Sequence, residues 1–155
     1  MSTQRTAVPV KASPETIFAL IERDRTEFRD DETERSSRLN DAPFGPGYRF
    51  RRVRFHGGKW CEMTLCVTAW DSPRLFEEEW RYDCRASEKV LHGRQRFEIE
   101  TDHSGTILIG TFERHMPGLM GVFERALGVF CSPKFHLLPL VQRAEAVAHA
   151  DACPV

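Results

Sequence analysis

A few polar side chains are predicted among apolar neighbours on one face of a sheet, at Arg52, Arg54, Glu78, Tyr82, Gln95 and Arg114. A carboxylate that is partly removed from water has a raised pKa and can act as a general acid or base, which would be the role of Glu78. Tyr82 or an arginine would then stabilise an enolate oxygen. Arg52 and Arg114 are also suited to bind the carboxylate, phosphate or enolate oxygen of a ligand, because a guanidinium donates two parallel hydrogen bonds.

Each of these residues also has a purely structural interpretation. Glu78 could hydrogen-bond Gln95 or an arginine in a satisfied polar network, and we favour this interpretation because structural networks also perturb pKa values. Arg52 and Arg114 could instead lay their aliphatic stems over an apolar wall and keep their charged ends in water. Both interpretations of the arginines stay open at this point.

Three other groups of charged or metal-binding residue types do not indicate a functional site. Alternation along a strand turns only the middle glutamate of the run 77–79 inward, which argues against a glycosidase-type carboxylate pair. The same alternation divides the basic run at 49–54 between two faces, so a nucleic-acid-binding stripe is not expected. His92 and His115 should face each other across a hairpin, but no third ligand is evident, and we predict neither a metal site nor a cofactor.

Three turns set the register of the strands that carry the polar residues. They lie at residues 56–59, where two glycines form the turn, at 71–74 and at 102–105. Directly paired residues share a face of the sheet. The predicted inner face is therefore apolar and aromatic, with Tyr48, Phe50, Cys61, Met63, Leu65, Val67, Phe76, Trp80, Tyr82, Phe97, Ile99, Leu108 and Phe112.

The same register leaves glycines and some apolar residues in unusual places. Gly93 and Gly110 fall on the inner face, where we expect them to accept aromatic rings and to leave room for a ligand. The outer face is charged, but it also carries a group of apolar residues, namely Val53, Phe55, Trp60 and Trp70. This group is suited to a protein partner or to a homodimer contact.

Helical signals flank these strands. A strand at residues 4–10 precedes Ser13 and Pro14, which are typical of a helix start, and a short helix at 17–22 follows. The mixed charges of residues 22–38 indicate a solvated second helix or a loop, with an edge strand near 33–39. After residue 118 the apolar period changes to that of a helix, and we expect Pro139 to kink or break this long C-terminal helix.

Four segments of the chain match a recognisable pattern, namely residues 8–18, the glycine loop before Tyr48, the corner at 70–75 and Gly105-Thr106 before the terminal helix. They resemble the SRPBCC superfamily, with its START-like helix-grip fold, and most of all its polyketide cyclase/dehydrase and lipid-transport group. The resemblance covers nearly the whole chain, which we therefore take as a single domain, 1–155.

The resemblance implies an α+β fold. In that fold a curved antiparallel sheet of six or seven strands wraps a long C-terminal helix, and two short helices follow the first strand. It also implies a deep apolar cavity between helix and sheet. Members of the superfamily use this cavity to bind lipids, hormones or polyketides, or to catalyse cyclisation and dehydration.

Composition narrows the partners and the location. The net charge of −1, from 22 basic and 23 acidic residues, argues against a nucleic-acid partner. No apolar stretch reaches the about 18 residues that span a bilayer, so stable membrane insertion is not expected. The first ten residues lack the apolar core of a signal peptide, and we expect a cytoplasmic protein. The five cysteines lack metal-binding spacing and should be reduced thiols.

These observations lead to three hypotheses about function. The first is that a cavity binds a small hydrophobic molecule, aromatic, polyketide-like or lipid, whose anionic or carbonyl end lies near Arg52, Arg114 and Tyr82. The second is a cyclase/dehydratase-type enzyme with Glu78 as acid or base and Tyr82 as a second catalytic candidate. The third is a protein-interaction module, and the protein itself would be a monomer or a homodimer. The residues expected to line the cavity are Phe50, Arg52, Met63, Leu65, Phe76, Glu78, Trp80, Tyr82, Gln95, Phe97, Phe112, Arg114 and Phe123.

Overall fold

The computed structural model describes residues 2–56, 59–83, 90–103, 105–115 and 134–152. Seven strands and two helices occur in this part of the chain. Their bounds are β1 Ser2–Val10, α1 Pro14–Thr26, β2 Glu34–Arg38, β3 Arg49–His56, β4 Lys59–Asp71, β5 Leu75–Asp83, β6 Val90–Asp102, β7 Gly105–His115 and α2 Lys134–Ala152. None of the helices in the described ranges is long and apolar enough to cross a membrane.

The strands form one antiparallel sheet in the order β1-β7-β6-β5-β4-β3-β2. Strands β1 and β2 follow each other in the sequence, with α1 between them, but they form the two opposite edges of the sheet. The predicted registers of the first and third hairpins are confirmed, and that of the second is confirmed as far as Val67. Arg52 pairs with Met63 across the first hairpin and Met63 with Tyr82 across the second, while Thr101 pairs with Thr106 across the third.

The predicted register of β4 and β5 is wrong beyond a β-bulge that the sequence interpretation did not predict. Strands β4 and β5 shift by one residue between Val67 and Ala69. The extra residue turns the following side chains to the other face. Trp70, which we expected on the outer face, therefore pairs with Phe76 and packs against the core, with its ring 5.1 Å from that of Phe18.

Helix α1 begins where the sequence predicts. The Ser13 hydroxyl accepts a hydrogen bond from the Thr16 amide at 3.2 Å, and Pro14 occupies the first turn. The helix buries Ile17, Phe18, Leu20 and Ile21. It runs without a break to Thr26, so one helix of 13 residues stands where we expected two short ones. The charged residues 22–26 indicated a solvated segment, but two of them are paired within the fold. Arg25 points inward to Glu78, and Asp24 contacts Arg143 of α2.

Helix α2 packs against the inner face of the sheet and against α1 and β1. Leu137, Leu140, Val141 and Ala144 are buried in the same core as the inner-face strand residues. The helix continues through Pro139, so the expected break at this residue is wrong, and the alternative of a kink stays a prediction. Pro139 lies in the second turn of the described helix, where it removes a single backbone hydrogen bond. The architecture is the α+β helix-grip arrangement that the sequence predicts, with seven strands.

Candidate functional site

A cavity of about 640 Å³ lies on the inner face of the sheet. Its apolar wall consists of Met63, Leu65, Trp80, Leu91 and Phe112, which come from β4 to β7. Its polar lining consists of Arg25, Arg52, Arg54, Glu78, Tyr82, Gln95, Glu113 and Arg114. A second cavity of about 280 Å³ shares Arg52, Arg54, Met63 and Tyr82 with it, so the two border on each other.

Most of the sequence-predicted lining residues meet at this cavity, namely Arg52, Met63, Leu65, Glu78, Trp80, Tyr82, Gln95, Phe112 and Arg114. Phe50, Phe76 and Phe97 do not line it, because they are buried in the hydrophobic core and touch other core side chains. Phe123 lies outside the described residues. Of the described helical residues, the one that lines the cavity is Arg25 of α1; the expected wall from the C-terminal helix is not found among the described residues of α2.

The sequence interpretation missed three lining residues, Leu91, Glu113 and Arg25, of which Arg25 contacts the buried Glu78. Arg25 lies in the mixed-charge stretch that was assigned to the surface, yet its side chain is only 11% exposed. Helical spacing gives the missing signal, since residues 18, 21 and 25 fall on one face of a helix. Extending the predicted helix past Glu22 would have placed Arg25 beneath Phe18 and Ile21, facing the sheet.

Glu78 is fully buried, and its side chain is hydrogen-bonded by Arg25 of α1 and Gln95 of β6. Arg25 donates to both carboxylate oxygens, from Nε to Oε2 at 2.9 Å and from Nη2 to Oε1 at 2.6 Å. The Gln95 amide also donates to Oε1. This bidentate geometry is the strongest form of a carboxylate–guanidinium contact. The carboxylate therefore has the satisfied network that the structural interpretation of Glu78 predicted.

The environment of Arg25 keeps its charge in place. Burial lowers the pKa of Arg25, but the charge and hydrogen bonds of Glu78, together with Asp24, outweigh burial and raise it above its usual value. The guanidinium also lies over two aromatic rings, 5.9 Å from the centre of Phe50 and 5.5 Å from that of Phe76. These rings add a favourable cation–π contribution to a desolvated cation. Arg25 and Glu78 thus form a neutral, closed pair at the base of the cavity.

Two further arginines, Arg52 and Arg54 on β3, line the same cavity as the pair of Arg25 and Glu78. Both contact Glu34, which is 5% exposed: Arg54 Nε donates at 2.6 Å, and Arg52 Nε lies 3.0 Å from the carboxylate. Arg52 is 15% exposed, and its Nε makes no hydrogen bond of good geometry. Burial, reinforced by the like charges of Arg25 and Arg54, lowers the pKa of Arg52 despite the carboxylate of Glu34.

The C-terminal turn of α1 connects these groups to the rest of the fold. The Asp24 carbonyl accepts from Arg52 Nη2 at 2.8 Å, and the Arg25 carbonyl accepts from the Tyr48 hydroxyl at 3.1 Å. These side chains satisfy carbonyls that a helix end leaves without intrahelical partners. The Asp24 carboxylate accepts from both terminal nitrogens of Arg143 on α2, at 2.7 and 2.8 Å. One helix end therefore positions the cavity arginines and holds α2.

The two inner-face glycines are occupied by neighbouring side chains. A Cβ at Gly93 would lie 2.4 Å from the Trp80 ring, and one at Gly110 would lie 2.9 Å from Leu137 and 2.8 Å from Phe112. Gly93 therefore accepts an aromatic ring, as predicted. Gly110 lets helix α2 approach strand β7, so its missing side chain serves packing.

The remaining candidate groups lie away from the cavity. His92 and His115 are paired and stacked, with ring centres 4.7 Å apart. Cys66 is a free thiol and Cys61 is buried, while Cys84, Cys131 and Cys153 lie outside the described residues. No cluster of three or more His, Cys, Asp or Glu side chains that could hold a metal occurs within the described ranges. Phe55 and Trp60 form an exposed aromatic pair on the outer face.

No family model matches the sequence, and no curated protein matches it either. Solved structures do match. The polyketide-cyclase-like protein Cgl2372 from Corynebacterium glutamicum is 15% identical over 97% of this chain and 93% of its own, with a TM-score of 0.55. Aha1 from Colwellia psychrerythraea, solved as a dimer, is 20% identical over 94% of this chain and 97% of its own, with a TM-score of 0.53.

A third similar structure is Ara h 8.0201, at 12% identity over 89% of this chain and 98% of its own, with a TM-score of 0.57. All three have the helix-grip fold. The chain therefore has this fold, as the sequence resemblance implied. At these identities the likeness concerns the fold, and function must be argued from the site.

Proposed function

We propose that the protein binds a small hydrophobic molecule with an anionic or carbonyl end in the inner-face cavity. The observation that carries the proposal is the composition of the cavity wall, which is aromatic and aliphatic on one side and lined by arginines on the other. Its volume of about 640 Å³ lies within the about 300–1,000 Å³ typical of small-molecule sites. The polyketide-cyclase-like description of one structural neighbour is consistent with a ring-bearing or acyl ligand.

The polar end of the ligand is assigned to Arg52 and Arg54. Both line the main cavity and its smaller neighbour, and the buried Nε of Arg52 still lacks a well-aligned acceptor. A ligand carboxylate or carbonyl would supply that acceptor in a partly desolvated place, where a charge-assisted hydrogen bond is strong. Four arginines line the cavity, and the carboxylates that contact them are Glu78, paired with Arg25, and Glu34, shared by Arg52 and Arg54, so the excess of positive charge favours an anion.

The geometry of Glu78 favours binding over the acid–base alternative. A general acid or base needs an oxygen that can reach the substrate proton. Both oxygens of Glu78 are engaged by Arg25, and one also accepts from Gln95. We therefore assign Glu78 to the architecture of the cavity. A cyclase or dehydratase would need another proton carrier, for which Tyr82 is the candidate on the cavity wall.

The proposal is tested by titration with 1-anilinonaphthalene-8-sulfonate, which combines aromatic rings with a sulfonate. Met63→Trp should fill the cavity and abolish the fluorescence increase, whereas Val53→Trp, on the outer face of the neighbouring strand, should not. Arg52→Gln should weaken binding about tenfold, the effect of one charge-assisted hydrogen bond. The matched control is Arg51→Gln, because Arg51 is the next residue and faces outward to Glu62 at 3.0 Å.

Circular dichroism melting of each variant separates lost binding from lost folding, since this probe also binds partly unfolded chains. Equal affinity of wild-type protein and the Met63→Trp variant, with both fully folded, would exclude the cavity as the binding site. Equal affinity of the Arg52→Gln and Arg51→Gln variants would remove Arg52 from the assignment and leave an apolar cavity without a fixed polar end.

A further inference from the structure

The outer face of the sheet carries a groove of about 510 Å³, on the opposite side from the inner-face cavity. Two rows of side chains that cross the strands form its walls. The backbone between the rows belongs to residues such as Gly93 and Trp80, which pair with each other and direct their side chains inward. The groove therefore follows the gap between two outward rows of one continuous sheet.

One wall of the groove is rich in hydrogen-bond donors and contains no acid. It consists of Thr64, Arg81, His92 and His115, which are paired in this order from β4 to β7. Arg81 is exposed and makes no ion pair with any described residue. The two imidazoles are stacked at 4.7 Å with an angle of 25° between their planes. An unpaired guanidinium thus lies beside two titratable nitrogen bases.

The opposite wall is less acidic than its composition indicates. Its acids are Glu79 and Glu113, but Arg94 donates to Glu79 at 2.8 Å and neutralises it. The hydrogen bond to Glu79, with the nearby carboxylate of Glu77, raises the pKa of Arg94. Arg49 completes this wall, and it too has no ion pair within the described part of the chain. The groove therefore keeps an excess of positive charge, which grows when the histidines are protonated.

We propose that this groove binds a phosphate-type oxyanion. Arg81 and Arg49 would supply fixed positive charge, the Thr64 hydroxyl a neutral donor, and His92 and His115 donors whose number depends on pH. A divalent metal on the two imidazoles is disfavoured, because Arg81 beside His92 would repel it and no third ligand side chain joins them among the described residues. The site is separate from the inner-face cavity, so it neither requires nor supports the ligand proposed there.

The bound oxyanion gives the direction of the pH dependence, because the charged neighbours of the imidazoles balance. On the same face as the imidazoles lie Arg81 and Asp83 from β5, Arg94 from β6 and Glu113 from β7, and His92 pairs with both Arg81 and His115. A bound dianion stabilises the protonated imidazole. Oxyanion affinity should therefore rise as the pH falls and the imidazoles become protonated.

Calorimetric titration with sodium sulfate at constant ionic strength tests the proposal, because sulfate keeps its two charges over the whole range used. Wild-type protein should bind sulfate saturably at pH 6 and at least about threefold more weakly at pH 8. Arg81→Gln should weaken binding at pH 6 about tenfold. The control Arg74→Gln removes another exposed arginine, one that is paired with Asp71 at the far end of β5, and should bind as the wild type does.

Further arms identify the histidines and the source of the oxyanion. His92→Gln should bind at pH 6 about as weakly as the wild type does at pH 8. Pyrophosphate and vesicles of phosphatidylglycerol in phosphatidylcholine distinguish a soluble phosphate from a lipid headgroup, and either result supports the shared chemistry. Absence of saturable sulfate binding at pH 6, or equal binding by the folded Arg81→Gln variant, would overturn the proposal.

Discussion

The buried pair of Arg25 and Glu78 gives the most specific stability prediction. Glu78 is fully buried, Arg25 is 11% exposed, and the two hydrogen bonds between them are 2.6 and 2.9 Å long. Arg25→Met would leave the carboxylate with Gln95 as its one side-chain donor among the described residues. Removing one partner of a buried ion pair lowers the free energy of unfolding by about 3–5 kcal/mol, because an uncompensated charge stays behind. We expect a loss of this size from Arg25→Met, and a similar one from Glu78→Leu.

The double variant distinguishes a coupled pair from two independent side chains. Arg25→Met with Glu78→Leu removes both charges at once, so its loss should be smaller than the sum of the single losses by about 2 kcal/mol or more. Urea unfolding at pH 7 measures all four proteins. Arg23→Met is the matched control, because Arg23 belongs to the same helix and its contact with Glu27, at 3.9 Å, is exposed. Its effect should stay within about 0.5 kcal/mol. Additive losses in the double variant would refute the coupling.

Two further predictions concern the helix contact and the inner-face glycines. Burial raises the pKa of Asp24, but hydrogen bonds and charge from Arg143 outweigh it and hold the pKa below its usual range. The stability that this carboxylate contributes should therefore be present above about pH 4 and be lost as the pH falls through the lowered pKa of the folded state. The free energy of unfolding of Asp24→Asn should lack this loss at acid pH. An unchanged dependence of the free energy of unfolding on pH in this variant would contradict the prediction. Gly93→Ala should destabilise more than Gly110→Ala, each by about 1–3 kcal/mol in thermal unfolding, because the new Cβ at Gly93 would lie 2.2 Å from a backbone oxygen whereas at Gly110 it meets movable side chains. An equal or reversed order would show that the sheet relaxes around Gly93.

The sheet could be predicted in detail because each turn fixes a register. Turns at 56–59, 71–74 and 102–105 placed Met63, Tyr82 and Gln95 on one face, and the strand pairings agree. A single inserted residue has no such signature in the sequence. The bulge after Val67 therefore reversed the side of Trp70 and shifted the pairing beside the turn by one residue, so that Asp71 pairs with Leu75.

The cavity could be predicted only in part, since its charges depend on contacts between distant elements. The strands supplied Arg52 and Glu78 through alternation alone. Arg25 reaches Glu78 over 53 positions along the chain, and Arg143 reaches Asp24 over 119, so neither partner could be assigned from local pattern. A buried arginine in a charged stretch looks like a surface residue until the helix that carries it is extended by one turn.

Tryptophan indole resonances test the central proposal most directly, because the three tryptophans lie in three different places. Trp80 lines the inner-face cavity, Trp70 packs in the core, and Trp60 is exposed on the outer face. Titration of labelled protein with 1-anilinonaphthalene-8-sulfonate, with resonances assigned by Trp→Phe variants, should shift the Trp80 signal saturably and leave Trp60 unchanged. A saturable shift of Trp60 with no change at Trp80 would contradict a ligand site in the inner-face cavity.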